Sequence, residues 1–165
     1  MARGIVVTSL VDALVEDLRN QVVSGALAPG TPLTELDVAT RYDVARASAR
    51  AAIERLTSEK VLVRHNHKTA RVVHLGPADV RDIYRTRTYL ESEVLRRLAA
   101  DRRVPQAARE ANAEIAAIWA EGSWAIVGPD MRFHTSLIDE LGSERTSAMY
   151  HSLAFEVKLC MAQLQ

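Results

Sequence analysis

The chain has 165 residues, 48% hydrophobic and 25% charged, with 21 Lys plus Arg against 21 Asp plus Glu. That balance is ordinary for one globular domain or two small ones, and it excludes a disordered polar chain and a uniformly basic nucleic-acid coat. No apolar run approaches the roughly 18 to 20 residues of a membrane span, and Met1 to Ser9 lack a signal-peptide core, so the expected location is the cytoplasm.

The first helical pattern runs from about Leu10 to Ser24, with Leu10, Val11, Leu14, Val15, Leu18 and Val22 on one face. Ser9 and Asp12 have the spacing of a capping box, and Gly25 ends the helix. After the turn Ala28-Pro29-Gly30, Thr34 and Asp37 form a second capping box, and Leu33 and Val38 have the spacing of a hydrophobic staple. These signals predict a short helix from Glu35 to about Tyr42. A third helix follows Asp43-Val44 and reaches about Glu59, with Ala49, Ala52, Ile53 and Leu56 inward and Arg46, Arg50 and Arg55 toward solvent. Val61 to Val63 and Arg71 to Val73 read as strands around a polar turn, His65 to Ala70. Three helices followed by a basic hairpin is the layout of a winged helix-turn-helix.

Positive charge gathers in the second half of this module. From Val44 to His74 seven bases (Arg46, Arg50, Arg55, Lys60, Arg64, Lys68, Arg71) face two acids (Glu54, Glu59), with His65, His67 and His74 in reserve. A local excess of five positive charges in a neutral chain fits a phosphate-binding surface, although a charged stretch is also the ordinary dress of a solvated face.

Pro77 marks a predicted boundary between residues 1–76 and 77–165, and nothing beyond it reads as strand. A helix from Asp79 to about Asp101 carries Val80, Ile83, Tyr84, Arg87, Leu90, Glu91, Val94, Leu95 and Leu98 on one face. A second runs from Pro105 to about Glu121, a third includes Asp130 to Leu141, and a fourth runs from about Arg145 to Gln165. The fold class is therefore mainly α, a winged helix followed by an all-α antiparallel bundle. The lone Cys160, which excludes an internal disulfide, falls on a helical stripe with Leu153, Val157, Met161 and Leu164 and is expected to be a buried thiol.

The series Gly25-x-Leu27-x-Pro29-Gly30-x-x-Leu33-x-Glu35, then Ala39, Val44, Arg46, Arg50, Ile53, Leu56 and Leu62-Val63, resembles the GntR family of winged-helix repressors across the whole first module. The resemblance implies that the third helix enters the major groove, with Ala45, Arg46, Ala47, Ser48, Ala49, Arg50 and Ala51 in place of the usual Ser-Arg-x-Pro-Val-Arg-Glu. A guanidinium can clamp phosphate or fork onto the O6 and N7 of guanine, and a hydroxyl can meet a backbone oxygen or base edge. Arg46, Ser48 and Arg50 are the expected DNA contacts, joined by Arg41 on the preceding helix and Lys68 in the wing. Ala45 removes a capping hydroxyl worth about 1 kcal/mol. Thr69, where the family has a wing-tip glycine, resists a positive φ, so the wing is expected to bend differently.

The second half resembles the FCD effector domain of the FadR-type subfamily, through Tyr84-x-x-Arg87-x-x-Leu90-Glu91 and Asp130-Met131-Arg132-Phe133-His134 with Leu137 and Leu141-Gly142-Ser143. The resemblance implies a divalent metal (Zn, Ni or Mn) held by an aspartate and three histidines, and a small carboxylate effector near an arginine. Asp130 and His134 match the first two ligands at i, i+4 on one helical face, and Arg87 is the implied effector contact. The family's other two histidines belong to helices after the point where these 165 residues stop. Four helices are legible here where the complete domain has six or seven, so a shortened domain with two of four ligands is expected; His151 matches neither missing position. His65 and His67 could chelate as a strand pair, although charged wing residues are the simpler reading. The stripe of Leu153, Val157, Met161 and Leu164 is expected to lie uncovered and to seek a partner.

Together these features imply a sequence-specific, nucleoid-associated transcription regulator, a repressor responding to an organic acid, acting as a homodimer on a near-palindromic duplex. The alternative is a shortened dimerisation module that pairs with related regulators without sensing a ligand. A metal-dependent enzyme is not expected: the sequence has no nucleophile elbow, no phosphate-cradling glycine loop, and near Asp130 and His134 only Asp139 and Glu140 as paired carboxylates.

Overall fold

The computed structural model describes residues 9–65, 68–119 and 124–163. The chain divides into two compact units, one ending at His74 and the other beginning at Leu75. In the first, Ser9 opens helix α1 (Leu10–Val23) with a reciprocal capping box. Its hydroxyl accepts from the Asp12 amide at 3.1 Å, and the Asp12 carboxylate accepts from the Ser9 amide at 3.1 Å. Gly25 ends the helix at φ 80°, a left-handed conformation that costs glycine no Cβ clash. Helix α2 (Glu35–Tyr42) begins where expected, with the Thr34 hydroxyl accepting from the Asp37 amide at 3.1 Å. The Asp37 carboxylate, however, turns back to the Thr34 hydroxyl at 2.6 Å, so only half of a capping box forms. Leu33 and Val38 are both buried, as a staple requires.

Helix α3 (Arg46–Ser58) follows the three-residue link Asp43 to Ala45, and its cap Ala45 makes no side-chain hydrogen bond. Ala49, Ala52, Ile53 and Leu56 have no exposed surface, packed against α1 and α2. The alanines let the helices approach closely, and Ile53 and Leu56 fill the centre.

The sheet differs from expectation. Strands β2 (Leu62–Val63) and β3 (Ala70–Val72) form the antiparallel hairpin, and a further strand, β1 (Pro32–Leu33), pairs with the other edge of β3 to give the order β1-β3-β2. Two residues, one of them proline, carry no readable alternation, so this strand exists only because β3 offers it an edge. Val61 and Val73, predicted within strands, lie just outside but remain joined by a Val73 amide to Val61 carbonyl bond of 3.1 Å. Thr69 is not among the residues of positive φ, in line with a threonine's resistance to that conformation. His67 lies outside the described residues, and with it the His65/His67 pair.

In the second unit, helix α4 (Pro77–Ala100) starts two residues earlier than predicted. Pro77 takes the first helical position, where its missing amide costs nothing, and the Asp79 carboxylate accepts from the Gly76 amide at 2.9 Å. Leu95, predicted on the buried face, is 48% exposed. Pro105 caps helix α5 (Gln106–Ile118) instead of sitting in its first turn; the expected end near Glu121 lies outside the described residues. Helix α6 (Val127–Asp139) begins before Asp130, after a 3-10 turn at Trp124–Ile126, with Pro129 accommodated in its first turn. It stops before Leu141, and helix α7 (Glu144–Gln163) follows.

Helix α6 packs on α4, α5 and α7, and α7 on α4. The core joins Ile83, Val94 and Leu98 to Leu137, Ile138, Tyr150, Val157 and Cys160. Cys160 is a buried thiol as expected, its pKa pushed up by burial. The terminal stripe is corrected: Leu153 and Val157 are buried against the bundle itself, Met161 is half-buried, and Leu164 lies outside the described residues. Among the described residues no helix is long and apolar enough to cross a membrane.

Candidate nucleic-acid interface and buried polar cluster

In the first unit the start of α3 and the hairpin border one open cleft of about 420 Å³, lined by Leu33, Thr34, Glu35, Leu36, Arg46, Arg64, Lys68, Thr69 and Ala70. Arg46 comes from the first turn of α3, Arg64 and Lys68 from the wing. Among the described residues none of these three cations has a carboxylate within 4.0 Å. Other arginines of the unit are spoken for: Arg55 pairs with Asp12 and, at 3.1 Å, with Glu59, and Arg71 donates to the Gly30 carbonyl at 2.9 Å. Three unpaired cations round one concavity form a focused positive field of the kind that attracts phosphate. Leu36, 57% exposed, gives the cleft an apolar lip.

Ser48 and Arg50 lie on the outer face of α3, off the cleft lining; Ser48 is half-buried and Arg50 exposed. Arg50 is held by its own fold. Its Nε donates to Glu54 Oε1 at 2.8 Å and lies 4.0 Å from Glu35 Oε1, and this hydrogen bond to Glu54 raises its pKa. Arg41, at the end of α2, donates to the Gln21 side chain on α1 at 3.2 Å and stands apart from the cleft. Sequence reasoning counted Arg64 as part of the basic stretch but did not place it at the site. It lines the cleft together with Arg46 from the outgoing arm of the hairpin, just after β2.

The second unit carries a different constellation. Arg87 and Glu91 occupy successive turns of α4, Asp130 and His134 successive turns of α6, and Tyr150 comes from α7. Arg87, 8% exposed, donates from Nε to Glu91 Oε1 at 2.7 Å, and its Nη2 lies 3.8 Å from Asp130 Oδ2. The guanidinium also lies 5.7 Å from the centre of the Tyr84 ring. The Tyr150 hydroxyl donates to the same Glu91 oxygen. Nδ1 of His134 lies 3.0 Å from Glu91 Oε1, and its Nε2 lies 3.5 Å from Asp130 Oδ1. Burial works against the charge on Glu91, yet the neighbouring His134, Tyr150 and Arg87 outweigh it and hold the carboxyl at about 2. Burial likewise opposes charge on His134, but Asp130 and Glu91 pull its pKa above the ordinary value. The Tyr150 hydroxyl is pushed up by burial and by the Glu91 carboxylate. Glu91 and Tyr150 were not singled out as site residues; the signal was there in two i, i+4 polar pairs on separate apolar faces.

Asp130 and His134 are thus brought together, and Asp130 Oδ2 and His134 Nδ1 are buried without a hydrogen-bond partner. Yet among the described residues no group of three or more His, Cys, Asp or Glu side chains has the arrangement of a metal site. Two donors fall short of the three or four protein ligands that hold zinc. The Arg87 guanidinium already supplies positive charge beside Asp130. The residues present do not by themselves fit a firmly held ion.

A winged helix carrying a cationic cleft, followed by an α-helical unit with a buried charged cluster, defines a two-module helix-turn-helix protein. Residues 10–72 match the model of bacterial regulatory proteins of the gntR family, and residues 82–164 match the FCD domain. The chain belongs to the GntR family of bacterial regulatory proteins, with an FCD domain as its second module. It is 37% identical over 82 residues to the gluconate operon transcriptional repressor of Bacillus subtilis, a match covering 50% of this chain and 33% of that protein. It is 33% identical over 90 residues to the HTH-type transcriptional regulator BphR of Paraburkholderia xenovorans, covering 54% and 37%. The matches thus span about a third of the length of these curated relatives. Among solved structures, a GntR protein from Rhodococcus superposes with a TM-score of 0.78 at 21% identity, over 92% of this chain and 74% of that one. Escherichia coli McbR/YncC does so at 0.67 and 21% identity, over 95% and 74%. These two likenesses establish the fold.

Proposed function

We propose that the protein is a sequence-specific DNA-binding transcription regulator that acts as a repressor and responds to a small organic acid. The observation that carries this is the cleft edged by Arg46, Arg64 and Lys68 beside the outward face of α3. The start of α3 enters the major groove, with Arg46, Ser48 and Arg50 toward base edges and backbone. Lys68 and Arg64 meet flanking phosphates from the wing, and Arg41, away from the cleft, is a further backbone contact. A homodimer sets two such surfaces on half-sites of a near-palindrome, about one helical turn apart. The repressor assignment draws on the likeness to the gluconate operon repressor.

In the second unit Arg87 is the group for an effector carboxylate. Its Nε is committed to Glu91, so an entering anion meets the Nη edge. Asp130 stands beside it at 3.8 Å, with His134 one turn further along α6. The effector regulates only to the extent that it binds one dimer geometry better than another.

The test is selection of bound duplexes from a random pool, repeated with Arg50→Ala. The selected sequences should share a near-palindromic core, and the substitution should weaken binding by about 1 to 3 kcal/mol. A wild-type protein that retains no duplex at low ionic strength sinks the reading.

A further inference from the structure

We propose that Glu54 is a specificity-determining residue of the α3 surface: its carboxylate anchors Arg50 through Nε and presets the two Nη groups as a fork for the edge of a guanine. The inference rests on the reading of α3 as the DNA-facing helix and deepens it.

The geometry is selective about which edge of the guanidinium is used. Arg50 carries five N–H donors in one plane, and the bond to Glu54, at 2.8 Å, goes to Nε. Glu35, at 4.0 Å, approaches the same nitrogen from α2. Both acids approach through Nε, and among the described residues the Nη pair donates no hydrogen bond to a carboxylate. That pair of parallel donors is what O6 and N7 of guanine accept. Arg46 has no such anchor, so it is the one suited to a phosphate, which makes no demand on the plane of the guanidinium. Arg50 is held, as a directional reading of a base edge requires.

Helix stability does not account for the pair. Both side chains are exposed, at 64% and 51%, and the order Arg then Glu at i, i+4 is the less favourable one along a helix. An acid on a surface that meets a polyanion also repels phosphate. The effect of Glu54 therefore falls on discrimination: where the guanine is present the fork is ready and little side-chain freedom is lost, and where it is absent only the repulsion remains.

The experiment compares duplexes selected from a random pool by the full chain and by Arg50→Ala, Glu54→Ala and the double variant. Circular dichroism on each checks the fold, which two exposed positions should leave intact. Glu54→Ala should relax the base preference at the same position as Arg50→Ala. It should weaken binding to the selected site about tenfold while tightening binding to unrelated duplex about twofold. In the Arg50→Ala background it should cost the selected site nothing further. Glu54→Gln, which keeps an acceptor for Nε, should fall between. An unchanged base preference overturns the proposal. So does a full effect in the Arg50→Ala background, or relaxation at a different base pair, which would mean that Glu54 reads a base itself. If Arg50→Ala relaxes no position, the DNA-facing reading of Arg50 fails first and takes this one with it.

Discussion

Glu91, a carboxylate 13% exposed, accepts from Arg87 and Tyr150 and lies 3.0 Å from His134 Nδ1. Removing its charge leaves Arg87 buried with no carboxylate closer than Asp130 at 3.8 Å, and breaking such a pair typically costs about 3 to 5 kcal/mol. Glu91→Gln should therefore lower the unfolding free energy of the second unit by an amount in that range, as denaturant titration would register. The pH dependence has two limbs. The folded pKa of Glu91 lies below its ordinary 4.5, at about 2, so its stabilisation is complete above 4.5 and is lost as pH falls toward 2. The folded pKa of His134 is raised above 6.5, so its contribution is present below 6.5 and is lost as pH rises through the raised value. Wild-type stability of this unit should peak between 4.5 and 6.5. Glu91→Gln should flatten the acid limb, and an unaltered acid limb would mean that Glu91 is not the group holding it.

At the scale of elements, two helix ends depart from their best residues and each invites a repair. Ala45 caps α3 with no side-chain acceptor, where a serine hydroxyl would satisfy a free amide of the first turn. Ala45→Ser should raise the unfolding free energy by about 0.5 to 1 kcal/mol. Helix α4 closes in a Schellman arrangement. The Arg103 amide donates to the Leu98 carbonyl at 2.9 Å and the Arg102 amide to the Ala99 carbonyl at 3.1 Å, with Arg102 at φ 52°. A side chain in that left-handed conformation costs about 1 kcal/mol that glycine avoids, so Arg102→Gly should stabilise by a comparable amount. Thermal melts of the two variants, which lie in different units, would check each separately. A destabilised Arg102→Gly would show that its side chain contributes more than its backbone costs.

Over the whole chain, neutrality conceals a local basic excess, five net positive charges between Val44 and His74. Duplex binding should therefore weaken steeply with added salt, since each phosphate contact releases counterions. Lys68→Ala should lower affinity almost equally for all sequences and reduce the slope of log affinity against log salt by about 1, unlike Arg50→Ala, which changes preference. Fluorescence anisotropy across a salt series would separate the two, and a Lys68→Ala slope equal to wild type would remove Lys68 from the interface.

The amino-acid sequence alone determined whatever depends on neighbours along the chain. The caps at Ser9 and Thr34, the glycine stop at Gly25, the inward row of Ala49, Ala52, Ile53 and Leu56, and the i, i+4 pair of Asp130 and His134 are local, and each follows from helical spacing or turn chemistry. The tertiary structure decided what depends on residues distant in sequence. Strand β1 exists only against β3, Arg64 joins Arg46 only through the hairpin, and Glu35 reaches Arg50 only because α2 and α3 are packed together. Leu153 and Val157, an unclaimed apolar stripe on paper, became core because α7 docks on α4 and α6. Periodicity marks which face of a helix is apolar, but which surface covers that face depends on packing between elements remote in the chain.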